Sequence, residues 1–166
     1  MIFGKPSLRV LFLCTANVCR SPLAEALLRH RLREAGLQRR IAVASAGTRA
    51  GQPGRRPDPR VARLCAERGV SLRGIRARAV TPSLLARSDR ILVMESTHRD
   101  DLAALGVAAD TLDRVELLGA YLALPGSAAA PAPIPDPYFA DPQGFLAVHE
   151  LIDQAVLGFL DRVRPG

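Results

Sequence analysis

The strongest constraint on this chain is local: an almost wholly apolar run over residues 8–13 ends at Cys14, and a helix signal, Ser21-Pro22, follows at once. Apolar side chains at both odd and even positions leave such a run no face for water. It therefore predicts a strand of a parallel sheet covered on both sides. Ser21 and Pro22 suit the N-cap and first position of a helix, and Leu23, Leu27, Leu28, Leu32 and Ala35 recur at helical spacing until Gly36 stops it.

The alternation continues down the chain. Residues 41–45, 90–94 and 115–118 read as strands, residues 59–68 and 97–105 as helices, which predicts an α/β domain with parallel strands joined by helices. A last helix follows Asp141 and Pro142, marked by the apolar stripe Phe145, Val148, Ile152, Val156, Phe159, Leu160 and Val163. Residues 124–142, rich in Ala and Pro, can continue neither sheet nor helix and predict a long surface loop. Loops of this length are often functional, which directs attention to Pro135-Asp136-Pro137. A length of 166 residues with 48% hydrophobic content predicts one core and a single domain over residues 1–166.

Composition narrows the function classes. No run is long enough to span a membrane, and residues 1–7 lack the apolar stretch of a signal peptide. Three cysteines without a disulfide spacing read as reduced thiols, which predicts a cytoplasmic protein. The net charge of +7 comes from scattered basic residues, all arginine except Lys5, with 4% aromatics; this patterning argues against a nucleic-acid reader and for anionic, phosphorylated partners. Cys14, Cys19, Cys65, His30, His98 and His149 show no metal-ligand spacing, and the histidines read as surface or packing residues.

The chemistry gathers at residues 14–21. A helix N-terminus offers unpaired N–H groups and positive potential, so a loop curling over it cradles a phosphate dianion. The same field, with the Arg20 cation, favours a Cys14 thiolate, and the planar fork of Arg20 suits two phosphate oxygens. An Arg six residues after a Cys is a weak signal by itself in so arginine-rich a chain, and a core cysteine is the competing reading. The apolar strand before and the helix after give the pair its weight.

Residues 10–25, Val-Leu-Phe-Leu-Cys-Thr-Ala-Asn-Val-Cys-Arg-Ser-Pro-Leu-Ala-Glu, resemble the signature of the low-molecular-weight protein tyrosine phosphatases, bacterial branch. Ser45-Ala-Gly-Thr48, Pro57-Asp-Pro-Arg60, Arg76-Ala-Arg78, Ile91-Leu-Val-Met94, Leu117-Leu-Gly119 and Asp136-Pro-Tyr138 follow in the family's order. The resemblance implies a doubly wound, four-stranded parallel sheet with helices on both faces, of flavodoxin-like type. It implies hydrolysis of phosphotyrosine through a cysteinyl-phosphate: Cys14 as nucleophile, Arg20 as phosphate clamp and Asp136 as general acid. Thr15, Ala16, Asn17, Val18, Cys19 and Ser21 complete the phosphate-binding loop, with Asn17 holding its strained backbone and Ser21 donating to the thiolate. Tyr138, Phe139 and Arg49 are expected to grip the substrate ring. Neither metal nor organic cofactor is implied. The implied partner is a tyrosine-phosphorylated protein, for which a bacterial tyrosine kinase of polysaccharide export is the family's pointer, with phosphate or another oxyanion in the site.

Asp136 also makes independent sense, since a carboxylic acid lowers the barrier to expelling a phenoxide. Cys19 reads either as a partner for a protective disulfide with Cys14, as in relatives with this pair, or as a small buried residue. Family departures are Ile75, where many members have His, and Ala16, where many have Gly. Two other chemistries remain open on this fold. A phosphoarginine phosphatase carries Thr where this chain has Val18, and an arsenate reductase needs a relay of two further cysteines for which no closely spaced downstream pair exists.

Overall fold

The computed structural model describes residues 4–164; the first three residues, part of the segment read for a signal peptide, and the last two of the expected 1–166 domain lie outside them. Strand β1 (Leu8–Cys14) pairs in parallel with β2 (Ile41–Gly47) on one side and β3 (Arg90–Val93) on the other. Strand β4 (Val115–Leu117) pairs in parallel with β3, completing a four-stranded sheet of order β2-β1-β3-β4.

Both faces of the sheet are buried, which is why β1 shows no polar alternation. Val10, Phe12 and Cys14 enter one core with Leu27 and Leu28 of α1 (Arg20–Glu34), Val61 of α2 (Pro59–Glu67) and Ile152, Val156 and Phe159 of α6 (Pro142–Val163). Leu11 and Leu13 enter the opposite core with Leu84 and Leu85 of α3 (Pro82–Ala86) and Leu102 of α4 (Ser96–Ala104), with Leu112 of α5 (Ala109–Leu112) packed against it. Among the described residues no helix is long and apolar enough to cross a membrane.

Three short elements are absent from the sequence reading: α3, α5 and a 3₁₀ turn at Leu118–Leu122. Each has five residues or fewer, too few to show a period, although α3 carries a readable cap in which Thr81 Oγ1 accepts the Leu84 N–H at 3.1 Å. The expected N-cap at Ser21 is corrected. Helix α1 starts at Arg20, its N-cap residue is Cys19 without a side-chain cap, and Ser21 lies inside the first turn. The Ser21 hydroxyl is taken instead by Asn17 and Cys14, which leaves the first N–H groups of the helix to another acceptor.

From β1 the chain turns to β2 on one side and returns to β3 on the other. In open parallel sheets the crevice at the carboxyl ends of two such strands is where ligands bind. Cys14 ends β1, and Glu95 stands two residues past the end of β3.

Candidate active site

Residues 14–20 curl from the end of β1 to the start of α1. Asn17, with φ of +58°, is the one non-glycine among the described residues in the left-handed region, and Asn enters that region more readily than most residues. Its backbone is held by its own side chain: Oδ1 accepts the Arg78 N–H at 3.0 Å, and Nδ2 donates to Ser21 Oγ at 2.8 Å and Ser45 Oγ at 2.9 Å. Ala16 needs no positive φ. Ile75 is buried in the apolar core and takes no part in this network.

The hydrogen bonds have one polarity. Ser45 donates to Glu25, which is paired with Arg29, so Ser45 accepts from Asn17. Ser21 also accepts from Asn17, and its own proton is left for Cys14 Sγ at 2.9 Å, closer than the carbonyl of Ala46 at 3.4 Å. Burial pushes the Glu25 carboxyl up, opposed by its bonds to Ser45 and the Arg29 charge. The two residues after β2 brace the loop from the side: Thr48 N–H reaches the Cys14 carbonyl and Arg49 N–H the Thr15 carbonyl, both at 2.9 Å. A Cβ on Gly47 would stand 2.6 Å from the Thr15 carbonyl oxygen, which explains the glycine of the Ser45-Ala-Gly-Thr48 block.

Arg20 is buried at the rim of this cradle. Its Nη1 donates to Glu95 Oε1 at 2.9 Å and to the Ile134 carbonyl at 2.8 Å, while Asp136 Oδ2 lies 3.5 Å from Nη2. Asp136 comes from the segment between the 3₁₀ turn and α6. That segment is pinned by fully buried Ile134, whose N–H reaches the Met94 carbonyl at 2.8 Å, and by Gly119, where a Cβ would stand 1.6 Å from the Ala132 carbonyl oxygen. Asp136 Oδ1 accepts the Tyr138 N–H at 3.1 Å, a turn that sets the direction of the carboxylate.

One cleft of about 320 Å³ takes in Cys14, Thr15, Ala16, Val18, Cys19 and Arg20 from the cradle and Asp136, Tyr138 and Phe139 from the loop. The rings of Tyr138 and Phe139 meet edge to face, and Phe139 is 96% exposed at the mouth. Asn17 and Ser21 lie beneath the wall. Arg49, expected in the grip, is paired with Asp101 instead, its Nε 2.9 Å from Oδ1, and the arginine that lines the cleft beside Arg20 is Arg55. Burial, followed by the charges of Asp58 and Cys14, pushes the Cys19 thiol up to about 12, so it stays protonated at neutral pH. All three cysteines are free.

Glu95, Arg55, Ser45, Glu25 and His98 were not among the expected site residues. His30 lies near the surface beside Glu34 and His149 packs under α2, but His98 is buried against the cradle, its Nε2 3.0 Å from Thr15 Oγ1. The signal for this pair was present in part: Glu95 and His98 have the spacing of a capping box at the start of α4, and that box is formed. No local pattern reveals that the same helix start faces residues about 80 positions earlier.

Fold and site together define a doubly wound α/β protein in which a cysteine at the end of β1, an arginine at the start of α1 and a loop carboxylate line one cleft. The model of the low molecular weight phosphotyrosine protein phosphatases matches residues 9–165, and the chain belongs to that family. The low molecular weight protein-tyrosine-phosphatase of Streptomyces coelicolor is 35% identical over 156 residues, which is 94% of this chain and 93% of that one. The crystal structure of YfkJ from Bacillus subtilis superimposes with a TM-score of 0.85 at 29% identity, covering 97% of this chain and 96% of the other. The tyrosine phosphatase Wzb from Escherichia coli K30, solved in complex with sulphate, superimposes with a TM-score of 0.77 at 29% identity over 93% and 97%.

Proposed function

We propose that the chain hydrolyses phosphotyrosine in proteins in two steps. In the first, Cys14 Sγ attacks phosphorus in line, the bond to the phenolic oxygen breaks, and Asp136 gives that oxygen its proton. In the second, Asp136 as base takes a proton from water, which attacks the cysteinyl-phosphate and releases phosphate and the thiolate. Arg20 and the N–H groups at the start of α1 hold the equatorial oxygens throughout. Ser21, with its proton directed at Sγ, favours the thiolate as leaving group in the second step.

The observation that carries this reading is the meeting of Cys14 and Arg20 with Asp136, over 100 residues later in sequence, in one cleft whose mouth is made by Tyr138 and Phe139. Flat aromatic walls over an oxyanion seat suit a phenyl phosphate. The sulphate held by the related Wzb supports the seat. Val18 offers the cradle wall no hydroxyl, which favours a phenol over a guanidinium. The partner is then a tyrosine-phosphorylated protein, with a bacterial tyrosine kinase of polysaccharide export as the substrate to try first; three free thiols support a cytoplasmic setting.

The test is turnover of phosphotyrosine, phosphoserine and phosphoarginine peptides side by side, with a chelator present. Phosphotyrosine is expected to lead. Faster release from phosphoarginine would overturn the substrate assignment, and loss of turnover with chelator would overturn the metal-free mechanism.

A further inference from the structure

Helix α4 meets the cradle through Glu95, His98 and Asp101, whose spacing of three keeps them on one side of the helix. Glu95 takes Arg20, and Asp101 takes the Thr48 hydroxyl at 2.7 Å. His98, 1% exposed, stands between them. Its Nδ1 faces the Glu95 N–H at 3.1 Å and so is the acceptor, which puts the ring proton on Nε2. Nε2 lies 3.0 Å from Thr15 Oγ1, and the bond therefore runs from His98 to Thr15. On its other side Thr15 is held through its carbonyl by the Arg49 N–H at 2.9 Å.

We propose that His98 is a positioning residue for the oxyanion cradle: by donating from Nε2 to Thr15 it fixes the first peptide after Cys14 and keeps the Thr15 N–H aimed at the bound phosphoryl group. This rests on the reading of the cleft as a phosphate site. The bond needs no charge on the ring. A proton on Nδ1 would face the Glu95 N–H head on and sit beside the Arg20 cation, and only Glu95 and Asp101 of α4 and Asp136 of the loop favour it. Burial first, and Arg20 second, hold the imidazole neutral and its pKa below the ordinary value.

The two ring nitrogens separate this role from simple capping of α4. In His98→Asn the amide oxygen can stand where Nδ1 stood and keep the Glu95 N–H, but the side chain is too short to reach Thr15. In His98→Gln the amide nitrogen can stand where Nε2 stood and keep Thr15. On the full chain, inorganic phosphate affinity measured by calorimetry should fall about three- to tenfold in His98→Asn. KM for a phosphotyrosine peptide should rise with it, while His98→Gln stays within about twofold of the parent. Thr15→Val should repeat the His98→Asn loss, and the double variant should be no worse than either single one. Parent-like phosphate affinity in His98→Asn or Thr15→Val, or equal losses in the Asn and Gln variants, would overturn the proposal. If neither His98 variant folds, Thr15→Val decides alone. A parent that binds phosphate but does not turn over phosphotyrosine would sink the phosphatase reading and leave these affinities to judge His98.

Discussion

The cradle and the loop that carries Asp136 serve one cleft but are built in opposite ways. The cradle's polar side chains are paired and, apart from half-buried Thr15, buried: Asn17 is 1% exposed with three hydrogen bonds, and Ser21 is fully buried between Asn17 and Cys14. The Asp136 side chain is 52% exposed, and its segment is tied down mainly at Ile134, at Ala132 against Gly119, and at Tyr138, whose carbonyl accepts Arg60 Nη1 at 2.9 Å. The regions join at Arg20, which is bonded to Ile134 and lies beside Asp136. In the reaction proposed above, the cradle's donors stabilise transition-state charge and act best when fixed in advance, whereas Asp136 as proton donor over the mouth must let substrate in and product out. Cradle variants should therefore cost oxyanion binding or the nucleophile itself, and loop variants should cost rate alone.

The largest effect is expected from Cys14→Ser, which should lower turnover on the order of 10⁴-fold or more while phosphate still binds, because the N–H groups and Arg20 remain. Activity within tenfold of the parent would remove Cys14 from the nucleophile's role. Next, Asp136→Asn should slow phosphorylation of the enzyme by about 10²–10⁴-fold with an unleaving phenol such as tyrosine, whose pKa is about 10, and by less with a nitrophenyl ester. Phosphate affinity should not fall. Single-turnover rates over a series of aryl phosphates check this; equal losses across the series would deny Asp136 the acid role.

A subtler break in the comparison is Gly119→Ala. The new Cβ would stand 1.6 Å from the Ala132 carbonyl, so the acid loop must shift while the cradle does not. A displacement of order 1 Å costs roughly 10–100-fold in kcat. Phosphate affinity measured by calorimetry should stay at the parent's value. A fall in affinity as large as the fall in kcat would show that the two regions are one unit.

The sequence made this asymmetry partly legible. The cradle lies between an apolar run and a helix signal, both local, so its place and its Cys14 and Arg20 could be read directly. Strand β2 runs two residues past the expected end because Ala46 and Gly47 pair with Leu13 and Cys14, and small residues carry little strand signal. The capping rule points to Ser21 because it assumes the hydroxyl serves its own helix, whereas here Asn17 and Cys14 take it. Arg49 and Arg55 could not be ranked from sequence, since the carboxylate that takes Arg49 is 52 positions away. The same holds for Glu95 and His98, which reach the cradle only because β3 lies beside β1.

The smallest expected effect is a pH dependence of stability that tells the cradle from the loop. Residues 124–141 contain no histidine, while His98 lies under the cradle and His149 in α6. Burial pushes both imidazoles below their ordinary value of 6.5, with Arg20 adding to it at His98 and Arg68, whose Nη1 is 2.8 Å from His149 Nδ1, at His149. The unfolded chain thus takes up these protons at a higher pH than the folded one, so stability falls as pH drops through about 6.5 and the loss is complete below both folded values. Buried Glu25, with its pKa raised, acts in the opposite sense, its contribution being present at low pH and lost as pH rises through its folded value. Variants isolate the histidines. Between about pH 7.5 and 5.5 the parent's thermal midpoint should fall by a few degrees, on the scale of about 2–4 °C per kcal/mol for a chain of this size. His149→Asn, whose amide oxygen can keep the Arg68 bond, should show a smaller fall whatever its midpoint at the higher pH. His98→Gln should do the same. Equal slopes in the parent and both variants would assign the acid sensitivity to carboxylates and leave the histidines without a part in it.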